Sequence, residues 1–359
     1  MGGIIIMKQK ITRIIAAGVA SLMLLPIFSS CGGPENYKTL SYSALDTVMT
    51  VKVSGNRVGG GRLSGDEMEK ITSKIASQAS ELDLALSASN KYSEIYALNH
   101  SVNILISENE ALHAMLDSAH TVESLTNGAY CCVAGAITEL WDTELGIIPT
   151  AEEIVSALSH IGCENITRTD KTIRKNDPSA KIDSDRIACG IAAQKLLEYI
   201  ATTESACGVV SVGNTVGVYG EKSKHSTFKI GVKDPVGESL GDFYTASGFI
   251  STASVNDSFF TANGKKYHDI IDPRTGYPAE TGLLEVVVYT SAGASSAALS
   301  HALFVLGVDE SMDLYEAGEV SFEAIFVTEA GEVILTPGIT EDMFTLTSKE
   351  YKLKSTDSE

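Results

Sequence analysis

The chain has 359 residues, 44% of them apolar, enough to bury one large core or two smaller ones. Its formal net charge of −19 excludes a general nucleic-acid-binding surface and an anionic-membrane surface. The acidic excess is read as solubility.

In chain order, Lys8, Lys10 and Arg13 lead into an apolar run, Ile14 to Ile27, that is too short to span a membrane. Phe28-Ser29-Ser30-Cys31 follows and resembles the bacterial lipoprotein signal box, with Phe28 in the usual Leu position. Residues 1–30 are therefore expected to be a lipoprotein signal peptide and Cys31 the lipidated first residue of an extracytoplasmic, membrane-anchored protein. Met7 is an alternative start. Five cysteines remain after Cys31, an odd number that cannot pair fully within one chain, and none forms C-x-x-C.

Residues 31–42 read as a tether, 43–350 as one globular body and 351–359 as a polar tail. Ala44 to Val53 alternates like a strand. Asp66 to Leu86 carries apolar residues at helical spacing. Glu108 to Leu125 is a second helix closed by Asn127-Gly128, and Ile187 to Ile200 a third. Cys207 to Tyr219, Thr227 to Val232 and Leu284 to Tyr289 read as strands, Ala294 to Leu306 as a buried helix, and Ala324 to Val327 with Val333 to Leu335 as a hairpin. Helices and strands mix without strict alternation, so the expected class is α+β with a mixed sheet.

The densest chemistry lies in KKYHDIIDPRTGYP, Lys265 to Pro278. Pro273 and Gly276 supply the angles of a sharp turn, and Asp272 is placed to cap it. At IIDPRTGYP the chain resembles the ApbE family, the FAD:protein FMN transferases. The resemblance runs in family order through LDTVMTV (45–51), SEIYALN (93–99), TNGAY (126–130) with the later Trp141, IDSDRIACGIAA (182–193), SVGNTVGVYG (211–220), ASG (246–248) and ALFVLG (302–307).

The resemblance implies an ApbE-like fold with FAD as substrate and Mg²⁺ as cofactor. It also implies a target protein whose Thr or Ser hydroxyl attacks the flavin-side phosphorus, so that AMP leaves. Such phosphoryl transfer rests on positioning and charge neutralisation. Carried over by motif, Asp269 and Asp272 are the catalytic candidates. Thr47, Ala129, Tyr130, Ser247, Gly248, Thr275 and Gly276 are the cofactor-binding candidates, and Ala188 and His301 the metal candidates.

The sequence also departs from the family pattern. The family holds its metal with an Asp and a Thr four residues apart on one helix, a spacing that puts both on one face. Here those positions are Ala297 and His301. The family His of H-I-I-D-P is Asp269, next to His268; the residue before Gly190 is Cys189; the Asp after G-A-[FY] is Cys131; an expected aromatic is Ser89. These changes predict weak or absent Mg²⁺-dependent turnover. The alternative expected function is a non-catalytic lipoprotein of the same fold that binds flavin or a partner protein. Cys131, Cys189, Asp269 and His301 are all zinc or iron ligand types, but the preferred reading of these four changes is drift, with small thiols filling a core, over a rebuilt metal site.

Overall fold

The computed structural model describes residues 36–220 and 227–354. The signal peptide, Cys31 and residues 355–359 lie outside the described residues. Among the described residues no helix is long and apolar enough to cross a membrane.

A nine-stranded sheet organises the body. Its strands are β1 (Tyr37–Ala44), β2 (Thr47–Ser54), β3 (Cys207–Val212), β4 (Thr215–Gly220), β5 (Gly248–Ser254), β6 (Leu283–Thr290), β7 (Glu323–Thr328), β8 (Glu332–Leu335) and β9 (Lys352–Leu353). They lie side by side in that order, and every neighbouring pair is antiparallel except β8 and β9.

Four expectations are corrected here. Residues 37–42, read as tether, are most of β1. Residues 352–353, read as tail, add a parallel strand beside Glu332 and Val333. The single strand expected at 44–53 is a hairpin that turns at Leu45 and Asp46, whose φ angles are 53° and 56°. The Leu45 N–H donates to Asp83 Oδ1 at 2.7 Å, so an aspartate of the adjacent helix holds this turn in place of turn-forming residues. The strand expected at 207–219 likewise folds back at Gly213-Asn214, where Gly213 has φ 51°.

One face of the sheet, presenting Met49, Val51, Val53, Val210 and Val212, carries the helices. These include α1 (Gly65–Leu86), α2 (Glu94–His100), α3 (Glu110–Leu125), α4 (Asp185–Ala201) and α5 (Gly293–Ala317). The other face presents Val209, Val216, Val218, Val287 and Ile325. It is covered by a three-stranded sheet, Phe228–Lys233, Ser239–Thr245 and Phe344–Leu346, through Phe228 and Phe243. Strand β3 is therefore buried throughout, and its run of apolar residues follows from having a layer on each side.

Two glycines set the crossing of α4 and α5. A Cβ on Gly190 would lie 2.2 Å from the Gly293 carbonyl oxygen, and one on Gly293 would lie 2.3 Å from that of Gly190. Helix α5 runs past the expected end at Leu306 to Ala317, with a kink at Gly307 (φ 75°, ψ −177°). The Phe304 carbonyl near that break accepts the Thr281 hydroxyl at 3.0 Å.

Candidate active site

A cleft of about 540 Å³ opens where the β1–β2 and β3–β4 turns meet the start of α4 and the first turns of α5. Several of the quoted motifs serve to place its walls. Asn99, last residue of SEIYALN, is buried; its amide donates to the Ile182 carbonyl and accepts the Ile182 N–H, both at 2.8 Å. The Ser184 hydroxyl donates to the Leu86 carbonyl at 2.7 Å. These bonds tie the approach to α4 to the helical layer and set Asp183 and Asp185 on the cleft wall.

Six carboxylates line the cleft, Asp46, Glu139, Asp183, Asp185, Asp257 and Asp269, together with the guanidinium of Arg186. Arg186 faces both carboxylate oxygens of Asp269 at 3.3 and 3.4 Å, lies 3.6 Å from Asp257 and donates to the Thr252 carbonyl at 3.3 Å. Burial pushes the Asp269 carboxyl up to about 6 in spite of Arg186. The charge of Asp183, followed by burial, pushes Asp185 up to about 7. Two acids of the cleft thus change charge near neutral pH.

The DPRTG turn forms as its residues dictate. Asp272 accepts the Arg274 N–H at 2.9 Å and grips the Arg274 guanidinium at 3.0 Å through each carboxylate oxygen. The Gly276 carbonyl accepts the indole N–H of buried Trp141 at 2.9 Å, and the Trp141 ring stacks on Tyr267 with centroids 5.8 Å apart. Trp141 and Pro273 present this assembly to the cleft.

The motif-derived candidates divide into two groups. Thr47, Tyr130, Asp269 and His301 line the cleft. Asp272, Thr275 and Gly276 lie in the turn behind it, and Asp272 and Thr275 face a separate, smaller hollow beside Lys265 and Tyr277. Ala129 and Ala188 are buried in the core outside the cleft lining. Ser247 and Gly248 stand at the start of β5, where the Ser247 carbonyl accepts the Tyr289 hydroxyl at 2.9 Å, away from the lining residues. Sequence reasoning missed Arg186 and Asp257. The available signal for Arg186 was a lone basic residue set between Asp183 and Asp185 on one side and the apolar run from Ile187 on the other.

Ala297 and His301 lie one helical turn apart on α5 and face the cleft, as their spacing requires. The residues here do not fit Mg²⁺. Ala297 offers no side-chain ligand. The His301 Nε2 lies 2.9 Å from the Ile271 carbonyl, which can only accept, so that nitrogen carries a proton. Burial holds His301 down at about 4, hence neutral, and a neutral imidazole is a poor ligand for an oxygen-seeking cation. Among the described residues no three of the cleft acids bring ligand atoms together.

The alternative of a metal site at Cys131, Cys189, Asp269 and His301 does not assemble. The Cys131 thiol contacts Cys163, Cys189 packs against the β3–β4 turn at Gly213, and Asp269 faces Arg186. His268 turns inward: its Nε2 donates to the Ala279 carbonyl at 3.1 Å and its Nδ1 accepts the Ile270 N–H at 3.2 Å.

A sequence profile of the ApbE family matches residues 45–326. This chain belongs to the ApbE family. It is 24% identical over 341 residues to a FAD:protein FMN transferase of Haemophilus influenzae, covering 91% of this chain and 96% of that protein. It is 23% identical over 335 residues to one from Treponema pallidum, with coverages of 87% and 91%. Among solved structures, the ApbE protein of Thermotoga maritima superposes with a TM-score of 0.73 at 27% identity, over 84% of this chain and 97% of that one. The apo flavinyl transferase ApbE of Pseudomonas stutzeri superposes with a TM-score of 0.71 at 19% identity, over 84% and 94%. The α+β body is thus the ApbE fold, and FMN transfer from FAD to protein is the activity of ApbE relatives.

Proposed function

We propose that this ApbE protein binds FAD in the cleft between Asp46 and His301, and that its Mg²⁺-dependent transfer of FMN to a protein hydroxyl is weak or lost. The observation that carries this reading is the pair Ala297 and His301. The first has no ligand atom, and the second is neutral, buried and already bonded to Ile271. The cleft volume of about 540 Å³ falls in the range of small-molecule sites. Tyr130 and Trp141 supply aromatic wall for a flat ring system, and Thr215 and Asn214 supply polar groups. FAD, when bound, would bring the phosphoanhydride bond that the family reaction breaks.

The deciding experiment incubates the soluble body with FAD and Mg²⁺, measures flavin binding by fluorescence quenching, and follows AMP release and flavin attachment to an ApbE substrate protein. Flavin binding with little or no AMP is expected. Transfer at the rate of a Mg²⁺-dependent relative overturns the reading, and so does a failure to bind FAD.

The same reading places the protein outside the cytoplasm on a lipid anchor at Cys31, supported by the basic start, the short apolar run and Ser29-Ser30 before that cysteine. Cys31→Ala should move the protein from the membrane fraction to the soluble one.

A further inference from the structure

A second cluster of ligand side chains lies beyond the cleft wall. His120 and Glu123, three residues apart on the last turns of α3, share one helix face. Cys163 opposes them from the loop after Gly162. One ligand atom from each of the three lies within 4.8 Å of the others. The Glu123 carboxylate accepts the Cys163 N–H through both oxygens at 3.2 Å, which fixes the carboxylate beside the thiol. The thiols of Cys131 and Cys132 lie beside that of Cys163.

One thiol, a carboxylate and an imidazole thus meet on one side of α3. A bound divalent cation takes the Cys163 sulfur as its thiolate and stabilises it directly. The mixture of sulfur, nitrogen and oxygen donors suits zinc and does not suit magnesium or calcium.

We propose that His120, Glu123 and Cys163 hold a zinc ion, leaving its fourth position open. Binding releases the proton of the Cys163 thiol to solvent. The ion pins the end of α3 to the Cys163 loop.

The test uses the whole soluble body, reduced, loaded with zinc and freed of excess by gel filtration, with metal measured by mass spectrometry. One zinc per chain is expected, together with a higher melting temperature that a chelator abolishes. Cobalt substitution should give a thiolate charge-transfer band. Cys163→Ser should weaken zinc binding by at least about tenfold. His120→Ala, at an exposed position that leaves the core intact, should do the same. Cys132→Ser and the distant Cys207→Ser should keep the metal. Absence of stoichiometric zinc overturns the proposal, as does zinc retained by Cys163→Ser or a Cys163 disulfide that persists in place of metal binding. Zinc kept at full affinity by His120→Ala overturns the ligand set. Metal content is read without flavin, so these results do not depend on FAD binding.

Discussion

His301 donates its Nε2–H to the carbonyl of Ile271 across 2.9 Å, joining the first turns of α5 to the strand-like approach of the DPRTG turn. In this protein the side chain at the family's hydroxyl-ligand position is a structural strut between two walls of the cleft. The ring is buried against Tyr130, whose centroid is 5.8 Å away, and it works only in its neutral form.

That requirement sets an acid limit on stability. His301 and His268 both titrate at about 4 in the folded protein because burial disfavours their charged forms. Unfolded histidine titrates near 6.5, so the unfolded chain binds more protons between about pH 6.5 and 4. Their contribution is complete above that window and is lost as pH falls through it, by up to roughly 3 kcal/mol for each ring. Urea melts of His268→Gln should start from lower stability at pH 7 and show a shallower decline from pH 6.5 to 4 than the wild type. An equally steep decline would remove His268 from the account.

How far the sequence revealed this arrangement depended on the kind of signal. The helix at 65–86 was legible because Ile71, Ile75, Ala79 and Leu82 repeat on one face and are the residues the core buries. The β1–β2 turn was not, because Leu45 adopts φ 53° under the pull of Asp83, a contact across 38 residues of chain. Asn99 looked like one letter of a motif, and only the fold shows it bridging Ile182 from 83 residues away. That Ala297 stands at a metal-carboxylate position came from the family resemblance, and helical spacing added only that Ala297 and His301 share one face. The cluster around Cys163 was not legible, since its members are separated by loops whose lengths match no metal-binding pattern.

The cleft acids give flavin binding a pH dependence. Asp185 and Asp269 sit at about 7 and about 6. A bound pyrophosphate adds negative charge beside them and raises both further, so FAD is favoured by protonation and binding takes up protons. FAD affinity should therefore rise from pH 8 to pH 6, by between about threefold and tenfold per pH unit. Calorimetry in buffers of different ionisation enthalpy should detect the proton uptake. Asp185→Asn should bind more tightly than wild type at pH 8 and show a flatter profile. A profile that rises with pH would rule out this linkage. The same sign governs folding: the folded protein holds more protons on these two acids between about pH 4 and 7, so their contribution to stability falls as pH rises through that range.

The α4–α5 crossing should tolerate no side chain at its closest point. A methyl on Gly190 would meet the Gly293 carbonyl oxygen at 2.2 Å and the Ala297 side chain at 2.9 Å, and both helices are held by the sheet behind them. Gly190→Ala should cost about 1–3 kcal/mol as the helices separate. Because Cys189 and Ala297 lie on the cleft at this crossing, FAD affinity should fall as well. Denaturant melts and flavin titration read the two effects separately. An unchanged melt would show that α5 shifts without resistance.

The last prediction restores what the cleft lacks. Ala297→Asp with His301→Thr places a carboxylate and a hydroxyl one turn apart on the cleft side of α5, an oxygen pair suited to Mg²⁺. Removing His301 also frees the Ile271 carbonyl from its donor. Without a cation, the introduced carboxylate is buried in the same cleft as Asp269 and Asp185, and the double variant should lose several kcal/mol, on the order of 3. Mg²⁺ should recover much of that loss and raise the melting temperature progressively with its concentration, whereas wild type shows no Mg²⁺-dependent shift. AMP release from FAD should appear in the double variant before efficient transfer does, because Asp269 and Cys131 still differ from the family pattern and site residues act as a unit. Adding Asp269→His and Cys131→Asp should then increase transfer. If the double variant melts lower and Mg²⁺ does not raise it, the walls that Arg186 and the acids now hold have moved too far for two ligands to rebuild the site.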